Sequence, residues 1–292
     1  MGRQSKDAVG GRAARVRHVL VIAGTVAVAM GLTLGVLVGL PRLRENAQTR
    51  LAARQPSLSM PWPEGTWLPA SERDRLMAVA MDALDARSDP LSPQSLERLG
   101  RALEGTGWFD RVGPIRRQGA GAITIEVAWR APAAVVRSDA TDYLVSKSGR
   151  VLPIAYPAGA SGYQAIVGAR QEPPVVRGQV AAGGVWPGAD VRAGLDVIEL
   201  AAGRAWRGQL AAVDVSEYAD RKRIVLVTTF HGRAVWGGAP SDTLPGEVSA
   251  VEKLRRLDVL HARFGQIDAK HRMVEVGGPM LLVDNSATAE AP

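Results

Sequence analysis

Residues 122–136 read Ala-Ile-Thr-Ile-Glu-Val-Ala-Trp-Arg-Ala-Pro-Ala-Ala-Val-Val. Ile123, Ile125, Val127 and Trp129 alternate with Thr124, Glu126 and Ala128, the period-two pattern of a strand with one covered face. Val135 and Val136 are expected to continue it. Upstream, Trp108-Phe109 leads to Val112 and Ile115 in a short strand, and Gln118-Gly119-Ala120-Gly121 supplies the turn between the two. Further upstream the period becomes helical. Leu96, Leu99 and Leu103 form a stripe behind Ser92-Pro93, a cap followed by proline at the first helical position, and Gly105 and Gly107 stop it. Leu76, Met77, Ala80, Met81 and Leu84 form a second stripe, with Ser71 as its expected N-cap and Asp74 three residues on. Ordered sequence begins near residues 62–68. The order strand, helix, helix, strand, strand predicts a small α+β layer whose two helices cover one sheet face.

Downstream the pattern is strand-rich. Tyr143-Leu144-Val145 and Val151-Leu152 flank Ser148-Gly149 as a hairpin. Residues 153–188 are rich in Gly, Pro and Ala, with one apolar island at Ile166-Val167-Gly168. Val191, Leu195, Ile198 and Ala202 then recur at helical spacing before Gly203. Strands are expected over 212–215 and 223–230. The run Ile224-Val225-Leu226-Val227 is apolar throughout, which places it inside a covered sheet. Val248, Val251, Leu254, Leu257, Leu260 and Phe264 mark a long helix that ends at Gly265. Residues 273–276 and 280–283 read as final strands.

The chain has 292 residues and a formal net charge of +7, with no cysteine. That removes disulfide frameworks, thiolate metal sites and cysteine nucleophiles together. A basic chain raises nucleic acid as a partner, but position decides against it. Residues 1–54 hold nine basic and two acidic residues, and in the remainder 27 of each sign cancel. The whole excess flanks one apolar segment. Residues 19–40 are 22 residues without a charge, roughly 33 Å of helix, against a bilayer core of about 30 Å. The apolar run is too long for a signal peptide and its end is a poor cleavage site, so an uncleaved anchor is expected. Arg3, Lys6, Arg12, Arg15 and Arg17 hold the N-terminus in the cytoplasm by the positive-inside rule. Some 250 residues then lie on the far side.

No catalytic constellation is visible. His18, His231, His261 and His271 have no partner histidine at helical spacing, and no H-E-x-x-H occurs. There is no P-loop and no G-x-S-x-G. The pairs Asp82 with Asp85 and Asp139 with Asp142 are read as solvated helix face and loop, and Arg221-Lys222-Arg223 as a turn facing water. The chain is expected to be no enzyme and to need no cofactor or metal.

Four stretches carry a resemblance. Trp108-Phe109 closes the second helix, and Arg130-Ala131-Pro132-Ala133-Ala134 forms R-x-P-x-A. Residues 144–152 make a hairpin with a glycine turn, and Gln266-Ile267-Asp268-Ala269-Lys270-His271 follows the long helix with its Lys253-Leu254. In this order behind one anchor, they resemble the FtsQ/DivIB bacterial cell-division proteins over about residues 60–283. Trp129 replaces that family's glutamate, and Ser146 its hairpin aspartate.

The resemblance implies a basic cytoplasmic tail over 1–18, a transmembrane helix over 19–40 and a tether over 41–63. A POTRA-like domain over 64–136, a mixed β-rich domain with two helices over 137–283 and a short tail over 284–292 complete it. It implies a non-enzymatic scaffold in the bacterial inner membrane, at the division septum, with its C-terminal domains outside the cytoplasm. Its partners would be other membrane-anchored division proteins, small coiled-coil bitopic ones among them, with the lipid bilayer met through residues 19–40. Partners would add an extended segment to an exposed strand edge. By position, the docking strand carries Lys270, His271, Met273, Glu275 and Val276. An alternative reading is a POTRA-bearing envelope transport or secretion component.

Overall fold

The computed structural model describes residues 57–65, 67–84, 92–118 and 122–284. The expected transmembrane helix, the cytoplasmic tail, most of the tether and residues 285–292 lie outside them, as do Asp85 and the turn at residues 119–121. No helix among the described residues is long and apolar enough to cross a membrane.

The fold is α+β, with five α-helices and two main sheets among the described residues. The first sheet has three strands: β1 (Ser57–Ser59), β2 (Phe109–Gln118) and β3 (Ala122–Trp129), in the order β1-β3-β2. Helices α1 (Ala70–Leu84) and α2 (Pro93–Glu104) fall between β1 and β2. Their stripes are the expected ones. Leu76, Ala80 and Leu84 of α1 and Leu99 and Leu103 of α2 are buried with Ile123 and Ile125. Ser92 caps α2, accepting a hydrogen bond from the Ser95 amide at 3.2 Å, with Pro93 at the first position.

Two expectations change here. Ser71 is not the cap of α1: the helix starts at Ala70, and the Pro69 carbonyl accepts from the amides of Glu72 and Arg73. The tether does not reach residue 63, because Ser57–Ser59 pairs parallel with Ala122, Ile123 and Thr124.

Trp129 does not join the buried row of Ile123 and Ile125. It is half-buried among other aromatic rings, 4.6 Å from Phe109, 5.8 Å from Trp62 and 6.1 Å from Trp67, and its Nε1 donates to the Pro61 carbonyl at 2.8 Å. The segment after β1 wraps this side chain. Arg130 beside it is buried, donating to Asp110 at 2.8 Å and to the carbonyls of Gly107 and Phe109 at 2.6 and 2.8 Å.

The second sheet contains nine strands. In chain order these are β4 (Pro132–Ser138), β5 (Thr141–Ser146), β6 (Val151–Pro157), β7 (Ala165–Val167), β10 (Leu210–Asp214), β11 (Ile224–Thr228), β12 (Arg233–Gly237), β13 (Met273–Glu275) and β14 (Leu282–Asp284). Between β7 and β10 stand a small separate hairpin, β8 (Val175–Val176) with β9 (Gln179–Val180), and helix α3 (Ala189–Ala201). The spatial order is β14-β13-β12-β11-β10-β7-β4-β5-β6. The strand carrying Val135 and Val136 therefore belongs to this sheet and does not continue β3. The apolar island at 165–167 is its pivot, parallel to both β4 and β10.

Alternation gives the sheet two covered faces near β4. Ala134 and Val136 face one core with Val191, Leu195 and Ile198 of α3 and with Leu254, Leu257 and Leu260 of α5 (Ala250–Phe264). Val135 between them faces the other core, shared with the helices of the small layer. β11 lies inside the sheet, as its continuous apolar run requires. A four-residue helix, α4 (Tyr218–Arg221), precedes it, so this half holds three helices and not two. In α5 the stripe is as expected from Leu254 onward, but Val248 lies before the Ser249 cap and Val251 points to solvent at 74% exposure.

The hairpin over 144–152 forms as read. Gly149 sits in its turn at φ +73°, where a side chain would be strained.

Candidate functional site

Two rims end the large sheet, and their chemistry differs. At the β6 rim, Pro153 and Pro157 have no N–H to offer. Residues 183–186 cover the beginning of the strand. The Val151 amide donates to Gly184 O at 2.8 Å, the Gly183 amide donates back to Val151 O at 2.7 Å, and Arg150 faces Val185 in an antiparallel bridge.

At the other rim lies β14, bonded on one side only among the described residues. Its register with β13 is antiparallel, Met273 opposite Asp284, Val274 opposite Val283 and Glu275 opposite Leu282. The Val276 amide donates to Val235 O of β12 at 3.0 Å. Main-chain groups alternate sides along a strand, so Val274 also faces β12, while Met273 and Glu275 face β14. Leu282 and Asp284 then answer them. The N–H and C=O of Val283 are left pointing outward. This is an open template for an added strand.

The rim is held from behind by α5. Ser249 caps that helix, accepting from the Glu252 amide, and Gly265 closes it at φ +75°. Arg256, only 8% exposed, donates to three carbonyls of the β13–β14 turn: Val276 at 3.0 Å, Gly278 at 2.6 Å and Pro279 at 3.0 Å. Glu252 accepts from Arg255 and Arg256. The Arg255 hydrogen bonds, followed by those from Arg256 and the charges of both, outweigh desolvation and hold the Glu252 carboxyl down at about 2. Met280 and Leu282 are exposed at 69% and 52%, so the rim carries apolar side chains as well as free main-chain groups.

The approach to β13 is unusual. Ala269, Lys270 and His271 have φ of 48°, 68° and 67°, three consecutive left-handed residues without a glycine. Each costs about 1–2 kcal/mol relative to the right-handed region. The buried Asp268 holds the turn, accepting from Thr228 Oγ1 at 2.6 Å and from the His271 amide at 3.3 Å, while its carbonyl accepts from the Arg272 amide. Nδ1 of His271 lies 2.7 Å from the Phe230 carbonyl.

Of the residues expected to dock partners, Lys270, His271, Met273 and Glu275 are exposed and Val276 is fully buried. Val276 belongs to the core. Glu275 and Met273 do lie on the face opposite Val274, as alternation requires. Their strand is not the edge, however. β14 stands outside it. The sequence held a signal for this: Gly277-Gly278-Pro279 between two short apolar runs is a turn, and a hairpin places the second run outside the first. Arg256 had no such signal, since an arginine on an amphipathic helix reads as solvated.

Of the other residues read as solvated, Asp142 is fully buried and paired with Arg137, at 2.7 and 2.9 Å, and it accepts from the Gly159 amide at 2.7 Å. Burial alone would push the Asp142 carboxyl up. The Arg137 hydrogen bonds, the Gly159 amide and the Arg137 charge outweigh it, and the net direction is down. Arg221 and Arg223 both pair with Glu217 at the surface.

No protein-family model matches the chain, and no curated protein matches it.

Proposed function

We propose that this chain is a membrane-anchored scaffold of the bacterial division septum, of the FtsQ/DivIB kind, that recruits other envelope division proteins and makes no covalent chemistry. The carrying observation is the open β14 rim, with Val283 main-chain groups directed outward and Arg256 fixing the turn behind them. It supports partner capture by strand addition, where backbone hydrogen bonds give affinity and alternate side chains give specificity. The β-α-α-β-β order of the small layer agrees with a POTRA-like unit, which is part of the same proposal. The anchor at residues 19–40 places these layers outside the cytoplasm of the inner membrane. Candidate partners are small bitopic coiled-coil division proteins whose chains turn from helix to extended segment at the rim. Lys270, His271, Met273 and Glu275 would then meet the partner's flanking residues.

A fluorescent fusion in the native host tests the reading. Septal localisation, with filaments or unseparated cells on depletion, is the expected outcome. Uniform envelope fluorescence with normal septation and impaired protein export would overturn it in favour of a transport component.

A further inference from the structure

A second surface lies at the opposite rim, beyond the docking edge proposed above. A cleft of about 740 Å³ opens between the helices of the small layer, β6 of the large sheet and the β8–β9 hairpin. Its origin is local. Residues 183–186 pair with the start of β6, but the hairpin at 175–180 turns away, with Ala181 donating to Pro174 O. Past Val151, β6 keeps β5 on its inner side and has no strand on its outer side among the described residues. Gly107 is pressed against this strap: a Cβ there would lie 2.7 Å from that of Ala182. The two layers thus meet at one end of the cleft and part along the rest.

The accessible apolar wall is Val79 of α1 with Pro153, Ile154 and Ala155 of β6, above a floor of buried Leu76 and Leu152, and Val180 closes the hairpin side at 36% exposure. Val175 and Val176, at 58% and 61%, extend the apolar surface outward along the same hairpin. The charge at the rim is lopsided. Arg75 and Arg101 both line the cleft and both are exposed. Glu72 is the one carboxylate among the lining residues, and it is engaged by Trp108 Nε1 at 3.2 Å and by Arg75 at 3.7 Å. Arg101 forms no ion pair among the described residues.

We infer that this cleft binds a short acidic–apolar peptide segment of another protein, its apolar side chains between α1 and β6 and its carboxylates on Arg75 and Arg101. The volume is in the range of built ligand sites, about 300–1,000 Å³. Charge excludes the chain's own tether. Residues 41–56 carry Arg42, Arg44, Arg50 and Arg54 against Glu45, the same sign as the rim. Distance excludes residues 285–292. They leave from β14, eight interstrand spacings or about 38 Å from β6, whereas eight residues reach about 28 Å. A bilayer is also disfavoured. The chain enters the small sheet at Ser57, opposite Ala122, while Trp108 and the cleft stand at the far end of β2, about 30 Å away.

The probe is a fluorescein-labelled peptide of sequence Glu-Leu-Ile-Glu-Leu-Val-Glu, with a counterpart carrying Lys in place of every Glu. Binding is read by anisotropy on the full chain in zwitterionic nanodiscs. Wild type is expected to hold the acidic probe at least ten-fold more tightly than the basic one. The double variant Arg75→Glu/Arg101→Glu, with both positions exposed and its melting temperature checked, should lose at least ten-fold for the acidic probe and come to prefer the basic one. Val283→Pro, at the other rim, should leave both affinities unchanged. That separates this site from the proposed docking edge. Equal binding of the two probes to wild type, or unchanged preference in the folded double variant, would overturn the inference. Loss of the acidic probe in Val283→Pro would do the same, by assigning it to the β14 rim.

Discussion

The β6 and β14 rims terminate the same sheet, yet one is closed and the other open. At β6, two prolines remove donors and residues 183–186 occupy the first positions. At β14, three residues are bonded on one side, with no proline among them, and the side chain behind them is an arginine satisfied by carbonyls. Edges of a sheet invite pairing with other chains, and natural sequences blunt those not meant to pair. Blunting at one end only is what the proposed docking role of the β14 rim requires.

The contrast breaks most violently at Val274→Pro. That residue is fully buried and its N–H faces β12, so the change removes an interior ladder bond and core packing. A loss of about 3 kcal/mol or more is expected, seen as loss of cooperative melting. Arg256→Met should come next. It leaves the Val276, Gly278 and Pro279 carbonyls without their donor, at about 2–3 kcal/mol for a charged hydrogen-bonding group. Partner capture should disappear with it, because the turn that presents β14 is released.

Acid sharpens the other end. Asp142 and Arg137 brace the β4–β5 pair beside the β6 rim, and the Asp142 carboxyl is held below its ordinary value. A depressed carboxyl contributes stability that is fully present above its unfolded value near 4 and is lost as pH falls through the folded one. The melting temperature of wild type should therefore drop faster than that of Asp142→Asn below about pH 4. Parallel curves for the two proteins would show that the pair is energetically idle. With Arg137 about one-third exposed, the difference near neutral pH should be no more than about 2 kcal/mol.

The smallest change in stability, about 1 kcal/mol, is expected for Val283→Pro, whose outward N–H bonds to nothing among the described residues and whose half-buried side chain loses part of its packing. It should nevertheless abolish strand addition. A folded Val283→Pro that still captures partners would remove the docking role of this rim.

Much of this was legible in the sequence, unevenly. Ser92-Pro93, the Leu99 and Leu103 stripe, the Gly149 turn and the apolar run at Ile224 are local signals, and local chemistry decides them. β1 was not legible, since Ser57-Leu58-Ser59 has one apolar residue and gains its order from a partner 65 residues away. The sheet change after Arg130 was hidden because period-two alternation runs through residues 123–136 whichever sheet receives them. Sheet membership is tertiary information. The edge strand was misplaced by one for the same reason: Met273–Glu275 and Leu282–Asp284 look alike as isolated runs, and only their order in space tells inner from outer. The buried roles of Asp142 and Arg256 escaped because a charged side chain signals burial only through its partners.

The proline-bearing rim has one more consequence, for stoichiometry. A sheet sticky at both ends can add copies without limit, the geometry of a fibre. A sheet with one usable end has a valency of one toward its own kind: two copies that pair through β14 leave only their blunted β6 rims outside. Copies of the chain that met edge to edge through this sheet would therefore form closed pairs, which a higher concentration fills without seeding a filament.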